Sequence, residues 1–219
     1  MKKTALLLSV MAFLLTAASL GAWAAGKSDQ ARITKVEGRV TVNGRRAVQG
    51  GLLKDGDWVA TGKMGLCEIV FADKNILRLW HETRVKISVS GKRKTLELIR
   101  GTLSALARGL NRYGNKRQFA LSVNTPTAVC GVRGTAFCVR VKDSMNSYVC
   151  LCNGKMNVAA KDGRDSVDAE SAHHRAFLLT AHADSVSITP AGMEYHTDAD
   201  LESLAGAISE KMDWTKVED

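Results

Sequence analysis

Asn124-Thr125-Pro126-Thr127-Ala128-Val129-Cys130-Gly131-Val132-Arg133-Gly134-Thr135-Ala136-Phe137 packs strand-forming and turn-forming residues into one short run. Val123, Ala128, Val132 and Phe137 are apolar, Pro126 fixes a backbone angle and removes a donor, and Gly131 and Gly134 flank a single arginine. The pattern predicts strand, turn, strand, with Arg133 on a tight corner and Thr135 opening the next strand. A planar guanidinium with five donors at such a corner either ties loop carbonyls together or hooks a ligand, and in small β domains the structural role is the commoner.

Outward from that corner, most of the chain from Ile33 to Ile188 alternates in short runs broken by Gly, Asn and Asp, the pattern of half-buried strands. Val40 and Val42 face one way, as do Cys67, Ile69 and Phe71, then Val85, Ile87 and Val89, then Leu96 and Leu98. Asn43-Gly44 and Asp55-Gly56 are turn dipeptides, and residues 72–75 form a hairpin connection. The expected fold class is all-β, a β-sandwich or β-roll of short strands. Residues 111–118 and 161–171 read as exposed loops. After Pro190 the pattern changes: Thr197 can cap a helix whose first turn carries Asp198 and Asp200, and Leu201, Leu204, Ile208 and Met212 recur at helical spacing. A C-terminal amphipathic helix packed on the β body follows. The expected organisation is a leader at 1–24, a β domain at 25–190 with its signature at about 33–160, and a helical extension at 191–219.

The words T-P-x-A-x-x-G-V-R-G-T-x-F, preceded by Gly56-Asp57-Trp58-Val59-Ala60-Thr61-Gly62 and by Phe71-Ala72-Asp73-Lys74-Asn75-Ile76-Leu77-Arg78-Leu79, resemble a FecR-type domain over about residues 33 to 160. The resemblance implies an all-β, extracytoplasmic sensing or binding module rather than an enzyme. It also makes Thr125, Pro126, Gly131, Arg133, Gly134 and Thr135 the structural signature. The namesake regulators carry a cytoplasmic anti-sigma segment and a membrane span ahead of this domain. Neither is seen in this sequence, so a regulatory role would pass through another protein.

Met1-Lys2-Lys3, the apolar run from Ala5 to Leu20 and the small-x-small site Ala22-Trp23-Ala24 read as a secretory signal peptide cleaved near Ala24. No second apolar run approaches the roughly 18 residues needed to span a bilayer. A periplasmic or secreted protein is expected, with an envelope protein or glycan as partner. The formal net charge is +9. From Arg84 to Arg117 ten basic residues face the single acid Glu97, whereas from Asp184 onward acids prevail. Such a stripe can bind an anionic polymer, but solvated strand edges are the commoner reading. Nucleic acid suits an exported chain with few aromatics among the charges poorly.

Five cysteines, Cys67, Cys130, Cys138, Cys150 and Cys152, make an odd number in an oxidising compartment. Cys67 alternates on an apolar face and reads as a small buried hydrophobe. A hairpin around Asp143-Ser144-Met145-Asn146 places Cys138 opposite Cys150 and Cys152, whose side chains share a face. Two outcomes stay open: a disulfide between Cys138 and Cys150, or a metal held by Cys150 and Cys152 with His173, His174 and His196. Zinc or copper suits that donor set, with Met193 as a softer copper ligand. His196 precedes the helix start, where the positive dipole end favours a neutral, ligating imidazole. More loosely, the tail resembles exported FecR-like proteins in which a Cys-x-Cys strand, a histidine-rich turn and a His-Thr-Asp helix start occur together. No nucleophile elbow, phosphate loop, dinucleotide fingerprint or His-Glu-x-x-His helix is present. A cysteine enzyme using Cys150 with His173 is the remaining catalytic alternative, and no catalytic residue is expected.

Overall fold

Strict period-two alternation can serve two buried faces at once when both are covered, and that is how this chain uses it. The computed structural model describes residues 31–72, 74–90, 93–108 and 121–217. The predicted leader and the predicted loop at 111–118 lie outside those residues. The strands are β1 (Ala31–Glu37), β2 (Val40–Val42), β3 (Arg45–Arg46), β4 (Leu52–Leu53), β5 (Asp57–Thr61), β6 (Leu66–Phe71), β7 (Asn75–Leu79) and β8 (Arg84–Ser88). They continue as β9 (Lys94–Ala107), β10 (Leu121–Asn124), β11 (Ala128–Val141), β12 (Asn146–Ala160), β13 (Ser166–Ser171), β14 (Arg175–Ala181) and β15 (Val186–Ala191), before the helix α1 (Asp198–Gly206).

All fifteen strands join one hydrogen-bonded sheet that wraps around a common core. Three long strands make this wrapping work, because each changes partners halfway along. The first half of β9 pairs with β8 and, in parallel, with β10, and its second half pairs with β7 and β11. In β11 the first half pairs with β10 and the second with β9, while β12 runs alongside both halves. The change in β11 falls at the signature corner: the register with β12 slips between Arg133 and Ala136, and Gly134 takes a φ of +65°. Residues with a Cβ seldom adopt that angle, which is why the corner needs glycine. In β9 the bend comes at Gly101, whose φ is +84° and where a Cβ would lie 2.5 Å from the Cα of Thr83.

The remaining signature residues close the same corner. The Thr125 hydroxyl accepts from the backbone N–H groups of Thr127 and Ala128 (3.2 and 2.8 Å), and the Ser147 hydroxyl bonds it at 2.8 Å. Thr135 donates to the carbonyl of Lys155 (2.7 Å), and Arg133 stands exposed beside a groove shared with Lys155, Asp168 and Glu170.

Alternation splits the buried residues into two clusters. Leu103, Ala105, Phe137, Val139, Val149 and Leu151 point into the interior of the roll. Leu106, Ala136, Cys138, Tyr148, Cys150 and Cys152, their immediate neighbours in sequence, point outward and are covered by Leu201, Leu204 and Ala205 of α1. The helix begins with a capping box: the Thr197 hydroxyl accepts from the N–H of Asp200, whose carboxylate accepts in return from the N–H of Thr197 (2.8 Å). It is shorter than the apolar stripe predicts. Ile208 and Met212 lie beyond its end, yet both still pack on the outer cluster. A second departure concerns residues 161–171, where the predicted loop is confined to 161–165. Val167 and Ala169 continue a strand, β13, that pairs with the second half of β12, and its many polar residues hide the alternation.

One ion pair fastens α1 to the sheet. Arg78 and Glu68 sit opposite each other on β7 and β6, both nearly buried, with Nη2–Oε1 at 2.6 Å and Nε–Oε1 at 2.9 Å. The same guanidinium donates to the Asp200 carbonyl (3.1 Å) and the Ser203 hydroxyl (3.2 Å) of α1. Among the described residues no helix is long and apolar enough to cross a membrane. Substituting Arg78→Ala leaves the Glu68 carboxylate buried without its partner, and a loss of about 3–5 kcal/mol in urea unfolding is expected.

Candidate metal centre

Four side chains from three separate segments meet on the outer face beside α1. Cys150 and Cys152 come from β12, where a two-residue interval sends both thiols to one side. Their sulfurs lie 3.9 Å apart. His174 comes from the connection between β13 and β14. Its φ of +47° is uncommon for a residue with a side chain, and its N–H bonds the Cys152 carbonyl at 3.0 Å. This sets its Nδ1 3.6 Å from the Cys150 sulfur. His196 lies immediately before the helix cap, with its Nε2 3.2 Å from the Cys152 sulfur and 3.3 Å from Nδ1 of His174. All four donor atoms lie within 4.8 Å of one another.

The outer nitrogens of both imidazoles are held as well. Nε2 of His174 bonds Asp198 at 2.6 Å, and Nδ1 of His196 bonds the Glu194 carbonyl at 2.8 Å. Each inner nitrogen is thereby directed toward the thiols. The Tyr148 hydroxyl donates to the Gly192 carbonyl (3.1 Å) and accepts from the N–H of Glu194 (2.9 Å), pinning the segment that carries His196. Asn153 donates to the carbonyls of Ala172, Asp213 and Lys216, so the connection bearing His174 and the chain end are tied to β12. The indole of Trp214 packs on His173 and His174, with ring centroids at 4.9 and 5.3 Å.

The structure brings together four of the five predicted ligands. His173 is exposed and bonds the other oxygen of Asp198 (3.0 Å), outside the thiol group. Met193 is 49% exposed. Cys138 stands directly opposite Cys150, as the hairpin predicts, but all five cysteines are free and no Cys138–Cys150 bridge is formed. Asp198 and the Glu194 carbonyl are the partners the sequence reading misses. Asp198 stands two residues after His196, a proximity the helix-dipole argument had already accounted for.

The expected effect of the helix terminus on His196 is reversed. Burial works against its imidazolium, but hydrogen bonds to Cys138 and Cys150 and the charge of those sulfurs outweigh it and raise the pKa to about 10. The Cys150 thiol is lowered to about 3 by its hydrogen bond from Cys152, opposed by burial and aided by His174 and His196. Burial is the main reason the Cys152 thiol is pushed up. The set therefore holds thiolate and imidazolium character within one small volume. Elsewhere the thiols are inert: burial pushes both Cys67 and Cys130 up to about 12.

Fold and site together describe a β-roll domain with a cysteine–histidine cluster under its only described helix. Residues 57–157 match the family model described as FecR protein, and the chain carries a FecR-type domain. Two similar solved structures are crystal structures of proteins from Parabacteroides distasonis ATCC 8503 that are provisionally assigned as anti-sigma factors. Each is 12% identical to this chain, with TM-scores of 0.48 and 0.49. The matches cover 61% and 68% of this chain and 59% and 64% of theirs, so the chain spans less than two thirds of either. Comparison with curated proteins returns no match.

Native-state alkylation at mildly alkaline pH is expected to leave Cys67 and Cys130 unmodified, with both labelled only after denaturation; mass spectrometry of the peptides reads the difference.

Proposed function

We propose that this chain is a non-catalytic, extracytoplasmic binding module of the FecR type, whose Cys150, Cys152, His174 and His196 hold one zinc ion and so lock the C-terminal segment onto the sheet. The observation that carries this reading is the shape of the donor set. Tetrahedral zinc with Zn–S of about 2.3 Å and Zn–N of about 2.05 Å requires edges of about 3.8 Å between sulfurs, 3.6 Å between sulfur and nitrogen, and 3.3 Å between nitrogens. Four of the six edges are 3.9, 3.6, 3.2 and 3.3 Å, and the other two lie within 4.8 Å. A carboxylate and a backbone carbonyl on the outer nitrogens are the partners that metal-bound histidines ordinarily have.

The chemistry favours zinc over copper. Two thiolates and two imidazoles at tetrahedral edges suit zinc. Four protein ligands under a helix leave no open position, which supports a structural and sensing role rather than catalysis. Because ligation needs the histidines neutral, metal binding would release protons. The cation would join β12, the β13–β14 connection and the segment before α1, so docking of the chain end would report metal occupancy. The basic leader with its small-x-small site supports export, and cell fractionation checks it.

A disulfide-stapled adaptor is the second reading, favoured by the placement of Cys138 directly opposite Cys150. Mass spectrometry without reductant separates the two, since a Cys138–Cys150 linkage removes one zinc ligand.

Protein purified without chelator is expected to carry about one zinc per chain, and the Cys150→Ser, Cys152→Ser variant none; absence of metal from both overturns the zinc reading. Asp198→Ala should keep the stoichiometry but weaken zinc affinity about 10- to 100-fold in competition with a chromophoric chelator. Zinc at about 100 times its dissociation constant should stabilise the metal-stripped protein by about 2.7 kcal/mol, seen as a rise in Tm that the double variant lacks.

A further inference from the structure

The β2–β3–β5–β8 side of the roll carries a feature the metal centre does not use. Thr41 pairs with Arg46 on one side and Ala60 on the other, Ala60 pairs with Arg84, and Arg84 pairs with Arg100. Directly paired residues share a face, so Arg46, Arg84 and Arg100 lie in one row across β3, β2, β5, β8 and β9, spanning roughly 19 Å at the usual strand spacing. Arg39, two residues before Thr41, and Lys86, two residues after Arg84, extend the same face.

Local stability gives no reason for this row. Arg84 directly opposite Arg100 is a like-charge pair, which costs rather than stabilises. The one ion pair that any of the five cations makes among the described residues is Lys86 with Glu97, long at 3.9 Å and exposed. Arg84 rests on the Trp58 ring at 4.7 Å, which orders it without neutralising it. Arg39, Arg46 and Arg100 are exposed and line two adjoining grooves of about 460 and 300 Å³ that meet at Arg39 and Thr41. Glycine makes room for the first of them, since a Cβ at position 62 would come within 3.2 Å of the Arg39 Cβ.

We infer that this face binds an acidic polysaccharide, with the guanidinium groups of Arg39, Arg46 and Arg100 taking its carboxylates or phosphates. Guanidinium forks match planar oxyanions, and a row of them along grooves matches a polymer with repeated charge. The groove walls supply the backbone of Gly38, Gly44 and Gly62 and the hydroxyl of Thr41, with no deep apolar socket for a peptide side chain. Hydroxyl-rich sugars fit such walls. Arg39, Arg46 and three of the row's five strands lie outside the basic stretch from Arg84 to Arg117, which is why the surface emerges only when β2 and β3 are joined through β5 to β8 and β9.

The test uses the full exported chain and calorimetric titration with oligogalacturonates of increasing length. Affinity should rise with length until the oligomer spans the row, and should fall as salt is added. The Arg39→Gln, Arg46→Gln, Arg100→Gln triple variant should bind at least about tenfold more weakly. A control triple variant, Lys142→Gln, Lys161→Gln, Lys211→Gln, removes the same charge from exposed positions elsewhere and should bind within about twofold of the parent. Equal weakening of both triples, tighter binding to anionic phospholipid vesicles or to polyglutamate than to the uronate, or no binding to any polyanion would each overturn the inference.

Discussion

The pairing of β11 with β12 is the constraint on which the rest of the structure depends. These strands run side by side for most of fourteen and fifteen residues, and a flat pair of that length could not keep one sheet wrapped around a single core. The slip between Arg133 and Ala136, with Gly134 at positive φ, bends the pair where the roll must turn. Beyond the bend, one face of each strand carries Phe137, Val139, Val149 and Leu151 into the interior, and the other carries Cys138, Cys150 and Cys152 outward. A single slip of register after the corner would exchange those faces and place the thiols in the apolar core. The corner thus decides that the sulfur atoms lie where histidines from elsewhere in the chain can reach them.

The outer face then needs a cover, and its polar content determines what kind. An apolar cover alone would strand the Arg78–Glu68 pair, the Tyr148 hydroxyl and the Asn153 amide. The chain end satisfies each with backbone groups: Asp200 accepts from Arg78, Gly192 and Glu194 engage Tyr148, and Asp213 and Lys216 accept from Asn153. Leu201, Leu204 and Ala205 supply the apolar remainder. Specific polar contacts therefore fix where α1 sits, and hydrophobic burial holds it there. His196 is placed by the same contacts, being one residue from the cap and two from the bonded Glu194 carbonyl.

How much of this was legible in the sequence varies with the range of the interaction. Period two and the turn dipeptides marked β2, β6, β8 and the first half of β9 because local alternation and turn chemistry act within a few residues. The Thr197 cap and acidic first turn marked the start of α1 for the same reason. The end of α1 was not marked, since Ile208 and Met212 keep the apolar spacing while packing on the cluster from beyond the helix. β13 was missed because only Val167 and Ala169 interrupt its polar run, and it becomes a strand by pairing with β12 rather than by its own pattern. In the site, Cys150 and Cys152 could be assigned to one face from their spacing. No local rule separated His174 from His173: the choice rests on a left-handed φ at His174 and on its N–H bond to Cys152. The basicity of His196 was misjudged because a helix terminus was weighed without the sulfurs packed against the ring.

Two of the six described non-glycine residues with positive φ lie at the donor cluster, the others being Asn43, Ala72, Glu82 and Ser209. His174 and Tyr195 both have positive φ, at +47° and +66°, and one is a ligand candidate while the other adjoins His196. Conformations of this kind cost about 1–3 kcal/mol each and persist where surrounding contacts hold them. Those contacts are present: the Cys152 carbonyl for His174, and for Tyr195 the edge of the Tyr148 ring at 5.1 Å and the Arg140 guanidinium at 4.5 Å. What the two turns achieve is the approach of two imidazoles to within 3.3 Å of each other above two thiols. On the proposed reading, a shared cation would offset the cost of holding His174 and Tyr195 in these conformations.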